Sequence, residues 1–196
     1  MSVPMAQKLQ PLLEMPVFRA ADARHLGVPS ALLHYYVEKG YFERIDRGVY
    51  QPRGAVLEVP SPWEEMALIA ASIPHGIVCL QTALIYYELS EDFAREYWIA
   101  IPHSRRAPRR KHTKIIRMRN TDLGKRTQVL GKLTISIFDP ERSIVDAFRY
   151  LGLEEALKAL KLYLHSKKIR PDLKKLKTYA HALRVNLDPY VMALMV

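Results

Sequence analysis

Two kinds of side chain in this sequence have the type and spacing to do chemistry: clustered carboxylates and clustered cations. Glu88, Glu91, Asp92 and Glu96 lie close together, and a metal-dependent nuclease would need such a group with a lysine beside it. They fall across a helix end and a loop, however, and read as a solvated acidic face. Arg142 and Asp146, four residues apart on one side of a helix, suit an ion pair or a cap better than a catalytic couple. The eight glycines form neither GxGxxG nor GxxxxGK[ST], there is no HExxH, and no two of the seven histidines have the spacing of a helical metal site. The single cysteine, Cys79, sits in the apolar run GIVCL with no partner for a disulfide or a zinc knuckle, and reads as a small core residue. Catalysis, a metal and a cofactor are therefore not expected.

Binding chemistry is better supplied. The net charge of +10 and a pI near 9.7 suit a polyanionic partner, and the excess is local. Residues 104–134 hold 11 basic and 1 acidic side chains, against 7 and 6 in residues 1–60, 1 and 6 in 61–103, and 11 and 7 in 135–196. The densest run holds Arg105, Arg106, Arg109, Arg110 and Lys111, and Lys114, Arg117 and Arg119 extend it. Arg117 and Arg119 alternate with Ile116 and Met118, so both project from one face of a strand. Such a block is either a solvated loop that binds nothing in particular or a secondary contact to the backbone of DNA. RNA and an acidic protein surface are the other partners it would suit.

The elements that must position a more specific site lie in the first fifty residues. Ala6 to Glu14 reads as a helix with Leu9, Leu12 and Leu13 on one side, stopped near Pro16. A second helix runs from Ala20 to Leu26, with Gly27 as a left-handed cap. A third begins at Pro29 or Ser30 and ends at Lys39, before Gly40, with Leu33, Tyr36 and Val37 turned to the core. Tyr41 to Ile45 and Val49 to Pro52 then alternate as strands around Asp46-Arg47-Gly48, a tight-turn signal. Two helices joined by a glycine turn form a helix-turn-helix, whose second helix fits the major groove of double-stranded DNA. The residues left on its outer side are Ser30, Ala31, His34, Tyr35 and Glu38. Ser30 and His34 can bond to bases or phosphates, Tyr35 can stack or bond to a phosphate, and Ala31 can touch a thymine methyl. Arg44 and Arg47 in the hairpin, and likewise Arg19 at the second helix, are placed for phosphates or the minor groove. Lys39 is the one cation of the third helix, so the electrostatic affinity expected of this unit alone is modest.

The stretch from Pro52 to Pro62, with three prolines and a glycine, reads as a linker. Ser61-Pro62-Trp63-Glu64 then has the form of a helix start: a serine cap, proline at the first helical position and glutamate three residues after the cap. Beyond it the expected order is a strand at Ile77 to Leu80, a helix at Thr82 to Leu89, strands near Tyr97 to Ile101 and Lys114 to Arg119, and two more at Gln128 to Leu130 and Leu133 to Phe138. Helices follow from Asp139-Pro140 to Tyr150, about Glu154 to Ser166, Pro171 to Arg184 and Pro189 to Met195. Tyr86, Tyr87 and Trp98 are core candidates. The expected fold class is α+β: a winged helix-turn-helix over residues 1–54, then an α+β domain over 61–196 with a small mixed sheet and C-terminal helices.

Phe18 to Pro52 resembles the N-terminal winged helix-turn-helix of the AbiEi family of antitoxins and related regulators, through Ala20, Ala23, Gly27-Val28, Leu33, Val37, Gly40 and above all Arg44 with Arg47-Gly48-Val49-Tyr50. The second domain is similar to the family's C-terminal antitoxin domain in Thr82-Ala83-Leu84 and in Asp139-Pro140-Glu141-Arg142-Ser143-Ile144-Val145-Asp146. Pro29 stands where many members carry a serine or threonine cap, and the recognition helix is poorer in arginine than is usual. The resemblance implies a transcriptional repressor that binds inverted repeats in the promoter of its own operon. It also implies an antitoxin that counters a nucleotidyltransferase-like toxin without forming a stable complex with it, neutralisation belonging to the C-terminal domain.

The alternative is a protein-interaction or toxin-modifying module whose DNA binding is secondary; an enzyme in its own right would need activity without any signature. No apolar run approaches the roughly 18 residues of a membrane span, and the N-terminus lacks the pattern of a signal peptide. A cytoplasmic protein is expected, a monomer or weak dimer with two copies on an inverted repeat.

Overall fold

Helical spacing of apolar residues accounts for the first element. In helix α1 (Met5–Glu14) Leu9 and Leu12, three residues apart, are buried, whereas Leu13 is 38% exposed. The expectation of three inward leucines is thereby corrected: adjacent positions are about 100° apart around the axis, and the buried stripe here is narrow. The computed structural model describes residues 5–93 and 95–194. These divide into two units, the first holding the chain up to Pro74 with Arg109–Lys111 and Val129–Ile135, and the second His75–Pro108, His112–Gln128 and the chain from Ser136 onward.

In the first unit, strand β1 (Phe18–Arg19) leads into helices α2 (Ala20–His25) and α3 (Ser30–Glu38), and then into strands β2 (Phe42–Asp46) and β3 (Val49–Pro52). The sheet order is β1-β3-β2 with antiparallel pairing throughout. Both helices of the helix-turn-helix stop in the same way. Gly27 and Gly40 take φ of +78° and +77°, a conformation that costs glycine little. The amide that follows each glycine bonds back five residues, Val28 N to Ala23 O at 2.9 Å and Tyr41 N to Tyr36 O at 3.0 Å, the Schellman arrangement. Leu12, Phe18, Ala23, Val28, Leu33 and Phe42 form the core. Phe18 meets Phe42 edge-on at 5.0 Å between centroids and stacks on Tyr50 at 5.7 Å. Tyr36 and Val37 pack against this cluster, as the helical spacing requires.

Two readings between the domains are corrected. Helix α4 is Glu64–Ser72, with Trp63 and not Ser61 at the cap position. The Trp63 amide bonds to the Pro60 carbonyl at 2.8 Å, which closes a turn over residues 60–63 and delays the helix. The linker is also tied down: Leu57 is buried, its carbonyl accepts from the Lys132 amide at 2.8 Å, and Lys132 pairs with Glu58 at 2.9 Å.

The second unit holds most of a mixed five-stranded sheet of β4 (Ile77–Val78), β5 (Tyr97–Pro102), β6 (Thr113–Met118), β7 (Lys125–Leu130) and β8 (Leu133–Phe138), in the order β6-β5-β4-β8-β7, the end of β7 and the start of β8 falling in the Val129–Ile135 segment of the first. β4 runs antiparallel to β5 and parallel to β8, and β5 runs parallel to β6. The strand expected at Ile77 to Leu80 is cut short because helix α5 (Leu80–Tyr86) begins at once. Helices α6 (Pro140–Tyr150), α7 (Leu153–Leu164), α8 (Leu173–Ala182) and α9 (Asp188–Leu194) follow, with a core that includes Leu84, Ile144, Val145, Leu160, Leu176, Leu187 and Val191. Tyr86, Tyr87 and Trp98 are only half-buried. The fold is α+β, a winged helix-turn-helix followed by a mixed sheet and C-terminal helices.

Helix α6 carries an unusual burden of buried charge. Asp139 caps it by accepting from the Arg142 amide at 2.9 Å, and Asp139, Glu141, Arg142 and Asp146 are all buried. Arg142 donates to Asp146 Oδ2 at 2.7 Å and to the Leu123 carbonyl at 2.7 Å, with its guanidinium 4.4 Å from the centre of the Phe138 ring. Asp146 also accepts from Arg149 at 2.6 Å. Lys175 Nζ bridges Asp139 and Glu141 at 2.8 Å each, and Tyr163 donates to Glu141 at 2.7 Å. Gly124 lets the chain pass close to this network: a Cβ there would lie 2.5 Å from Arg142 Cβ. Removing one partner strands the other's charge, so Asp146→Ala is expected to cost about 3–5 kcal/mol, read as a lower denaturant midpoint. Arg142→Met with Asp146→Leu should recover much of that loss, and a cost for Asp146→Ala below about 1 kcal/mol, the level of an exposed pair, would contradict the account.

Candidate nucleic-acid interface

The outward side of α3 carries the residues that its helical spacing assigns to it. Ser30, Ala31, His34, Tyr35 and Glu38 are all exposed, and the caps after Gly27 and Gly40 fix where the helix starts and stops. Glu38 is the one carboxylate on this side, and His34 Nε2 lies 3.4 Å from its Oε1. Tyr35 is held rather than free: it meets Tyr36 edge-on at 5.4 Å, and Lys39 Nζ lies 5.6 Å from its ring centre. The polar groups on offer are therefore a hydroxyl, an imidazole and a phenol, with a methyl from Ala31.

The hairpin supplies the cations. β2 and β3 are in register from Phe42↔Pro52 to Arg44↔Tyr50, and the register then shifts so that Asp46 faces Val49. Ile45 is the extra residue, and a bulge of this kind increases local twist. The turn is organised around Asp46, whose carboxylate accepts from the Arg47 amide at 2.6 Å and whose carbonyl accepts from Arg44 Nε at 3.2 Å. Arg44 and Arg47 are both exposed. Arg19 is less available. Its Nε and Nη2 donate to Asp22 at 2.8 and 2.6 Å, and its backbone amide donates to the same carboxylate at 2.8 Å, so it serves the start of α2. Arg53, which spacing did not single out, lies next to Gly40, where a Cβ would be 2.7 Å from its Nη1. That places a cation at the C-terminal end of α3, where the helix dipole favours one.

The basic stretch does not act as one strip. Arg109, Arg110 and Lys111 belong to the first unit, with Arg44 and Arg47, whereas Arg105, Arg106, Lys114, Arg117 and Arg119 belong to the second. Arg105, Arg106, Arg109, Arg117 and Arg119 are exposed. Lys114 is engaged, 3.7 Å from the Trp98 ring centre and 3.9 Å from Glu96. Arg110 departs most from a surface strip: its side chain is 10% exposed, and it donates to Ser72 Oγ at 3.3 Å and to the Arg47 carbonyl at 3.2 Å. Nothing in local spacing signals this contact, since it joins residues far apart in sequence.

Among the described residues no group of three His, Cys, Asp or Glu side chains is placed to hold a metal ion, and no helix is long and apolar enough to cross a membrane. A cleft of about 430 Å³ in the second unit is lined by Gln81, Ser90, Asp92, Lys158 and His165 among others, and Gln81 donates to Ser90 and Asp92 across it at 3.0 and 2.6 Å. Two other carboxylates of the same acidic stretch are drawn into pairs, Glu96 with Lys114 and Glu88 with Lys168.

Comparison with known proteins places residues 8–53 in a match to the family described as transcriptional regulator, AbiEi antitoxin. This agrees with the resemblance carried by Phe18 to Pro52. No curated protein matches the chain.

The Arg19 pair yields a pH dependence. The bond from Arg19 holds the Asp22 carboxyl below the ordinary carboxylate range, so its contribution to stability is complete above the unfolded-state value of about 3.9 and is lost as pH falls through the lower folded value. Asp22→Asn should cost about 0.5–1 kcal/mol at neutral pH and remove part of the acid destabilisation of α2. Amide exchange of residues 23–28 between pH 3 and 7 measures it; an unchanged profile in the variant would count against the pair.

Proposed function

We propose that this chain, whose N-terminal segment matches the AbiEi antitoxin regulators, is a DNA-binding repressor of its own operon and an antitoxin against a nucleotidyltransferase-like toxin. The observation that carries the DNA reading is the pairing of an exposed outer face on the second helix of a helix-turn-helix with two exposed arginines on the adjoining hairpin. In this reading the domain of residues 1–54 binds an inverted repeat in double-stranded DNA, two copies per operator. Ser30, Ala31, His34 and Tyr35 meet base edges or nearby phosphates, and Lys39, Arg44 and Arg47 neutralise backbone charge, with Arg19 a weaker contributor because Asp22 already satisfies it. Arg105, Arg106, Arg117 and Arg119 give general affinity for the backbone. The domain of residues 61–196 acts against the toxin without a stable complex, in the reducing cytoplasm. None of these roles requires catalysis.

A mobility-shift titration against the DNA upstream of the gene, with scrambled competitor at two salt concentrations, tests the reading. Specific binding should survive competitor, and the His34→Ala/Tyr35→Ala/Arg47→Ala variant should lose it while still rescuing growth from the co-expressed toxin. Arg47→Ala alone should make the salt slope shallower by about 0.9. Binding that competitor removes equally in both proteins would overturn operator recognition by this unit. Loss of rescue by a folded triple variant would favour a single function in which the N-terminal unit itself faces the toxin.

A further inference from the structure

The turn of the hairpin is held by a residue more than sixty positions away. Arg110 Nη1 donates to two backbone carbonyls at 3.2 Å each, that of Arg47 and that of Arg109. Its Nε donates to Ser72 Oγ at 3.3 Å and lies 3.9 Å from Asp46 Oδ2. Ser72, at the end of α4, is itself buried and fixed by donating to the Ile69 carbonyl at 2.8 Å. Two carbonyls of the turn are thus each met by a guanidinium, Asp46 O by Arg44 and Arg47 O by Arg110, and the third, Gly48 O, accepts from the Ala20 amide at 3.0 Å. A mostly buried arginine side chain whose Nε and Nη1 both have acceptors is costly to displace, so this contact fixes the turn.

We propose that the wing of the DNA-binding unit is a composite of two distant segments, in which Arg110 is a positioning residue that locks the turn carrying Arg47, and Arg109 is a second phosphate contact beside it. The proposal rests on the DNA-binding reading of this unit. The shared bond from Arg110 makes the Arg47 and Arg109 backbones neighbours, and both residues are exposed. Two cations side by side at a wing tip suit adjacent phosphates along one DNA strand. Arg110, by contrast, has its Nε and Nη1 committed inside the protein and in this proposal does not reach the nucleic acid. A run that reads as five equivalent cations therefore divides into different roles within three residues.

The test combines salt-dependent affinity for the upstream DNA with amide exchange of the free protein, on the full chain. Arg109→Ala should make the salt slope shallower by about 0.9, as Arg47→Ala does. Arg110→Met should weaken binding roughly 3- to 10-fold, the size of a coupling between touching residues, with the slope nearly unchanged. That loss should vanish in the Arg47→Ala background, and Arg110→Lys, which can reach one of the carbonyls, should restore part of it. Amides of residues 47–49 should exchange faster in Arg110→Met than in the wild type while those of α2 and α3 stay protected. If Arg110→Met flattens the slope and its effect adds to that of Arg47→Ala, Arg110 is itself a phosphate ligand and the proposal is wrong. If the exchange at residues 47–49 is unchanged, the brace is wrong even when DNA binding holds. If the wild type binds no DNA specifically while exchange still responds, the brace stands and the assignment of this unit to DNA falls.

Discussion

A guanidinium withdrawn from water has to be met by oxygen on nearly every side, and both units of this protein are organised by that demand. In the second unit Arg142 gathers Asp146, the Leu123 carbonyl and the Phe138 face, so the first two turns of α6, the approach at Gly124 and the strand that precedes the helix have to arrive together. In the first, Arg110 gathers the turn of the hairpin and the end of α4. Neither arginine is tolerable alone at such burial, where an unpaired charge costs several kcal/mol. Each therefore makes distant pieces of chain cooperate, and the same residue type that elsewhere covers the surface here specifies the interior.

The helix-turn-helix is specified differently, by apolar packing and by its two matching stops. Phe18, Leu33 and Phe42 set the depth of the helices against the small sheet, and the five-residue returns after Gly27 and Gly40 set their lengths. What this scaffold displays on α3 is polar and holds no lysine or arginine, while cations collect on the hairpin and the segment beside it. In the function proposed, discrimination and adhesion then sit on separate elements: contacts that depend on shape and hydrogen bonding on the helix, and contacts that depend on salt on the wing.

Much of this was legible in the sequence because the relevant signals are local. Glycine after a helical run gave both caps, Asp139-Pro140 gave the start of α6, and the strand expected at Leu133 to Phe138 has the observed bounds of β8. The outer face of α3 followed from a period of 3.6 residues. The failures share the opposite cause. Ser61-Pro62 has the composition of a helix start, but a turn closed by the Pro60 carbonyl displaces it. The proline-containing stretch looks unattached, yet Lys132, remote in sequence, ties it down. Arg110 looks like its neighbours until Ser72 and Arg47 are found beside it. Composition reports what a segment can do by itself, and these three are decided by a partner that composition does not reveal.

Cys79 sits between β4 and α5 with none of its surface exposed, and burial pushes its thiol well above its ordinary value. Thiol reagents act on the exposed thiolate, and this chain holds no second cysteine. The native protein is thus chemically silent toward maleimides and spin labels, and a cysteine placed at an exposed position such as Ala31 becomes the single reactive handle. The fold in this way provides its own background for fluorescence and distance measurements, with no native residue to be replaced first.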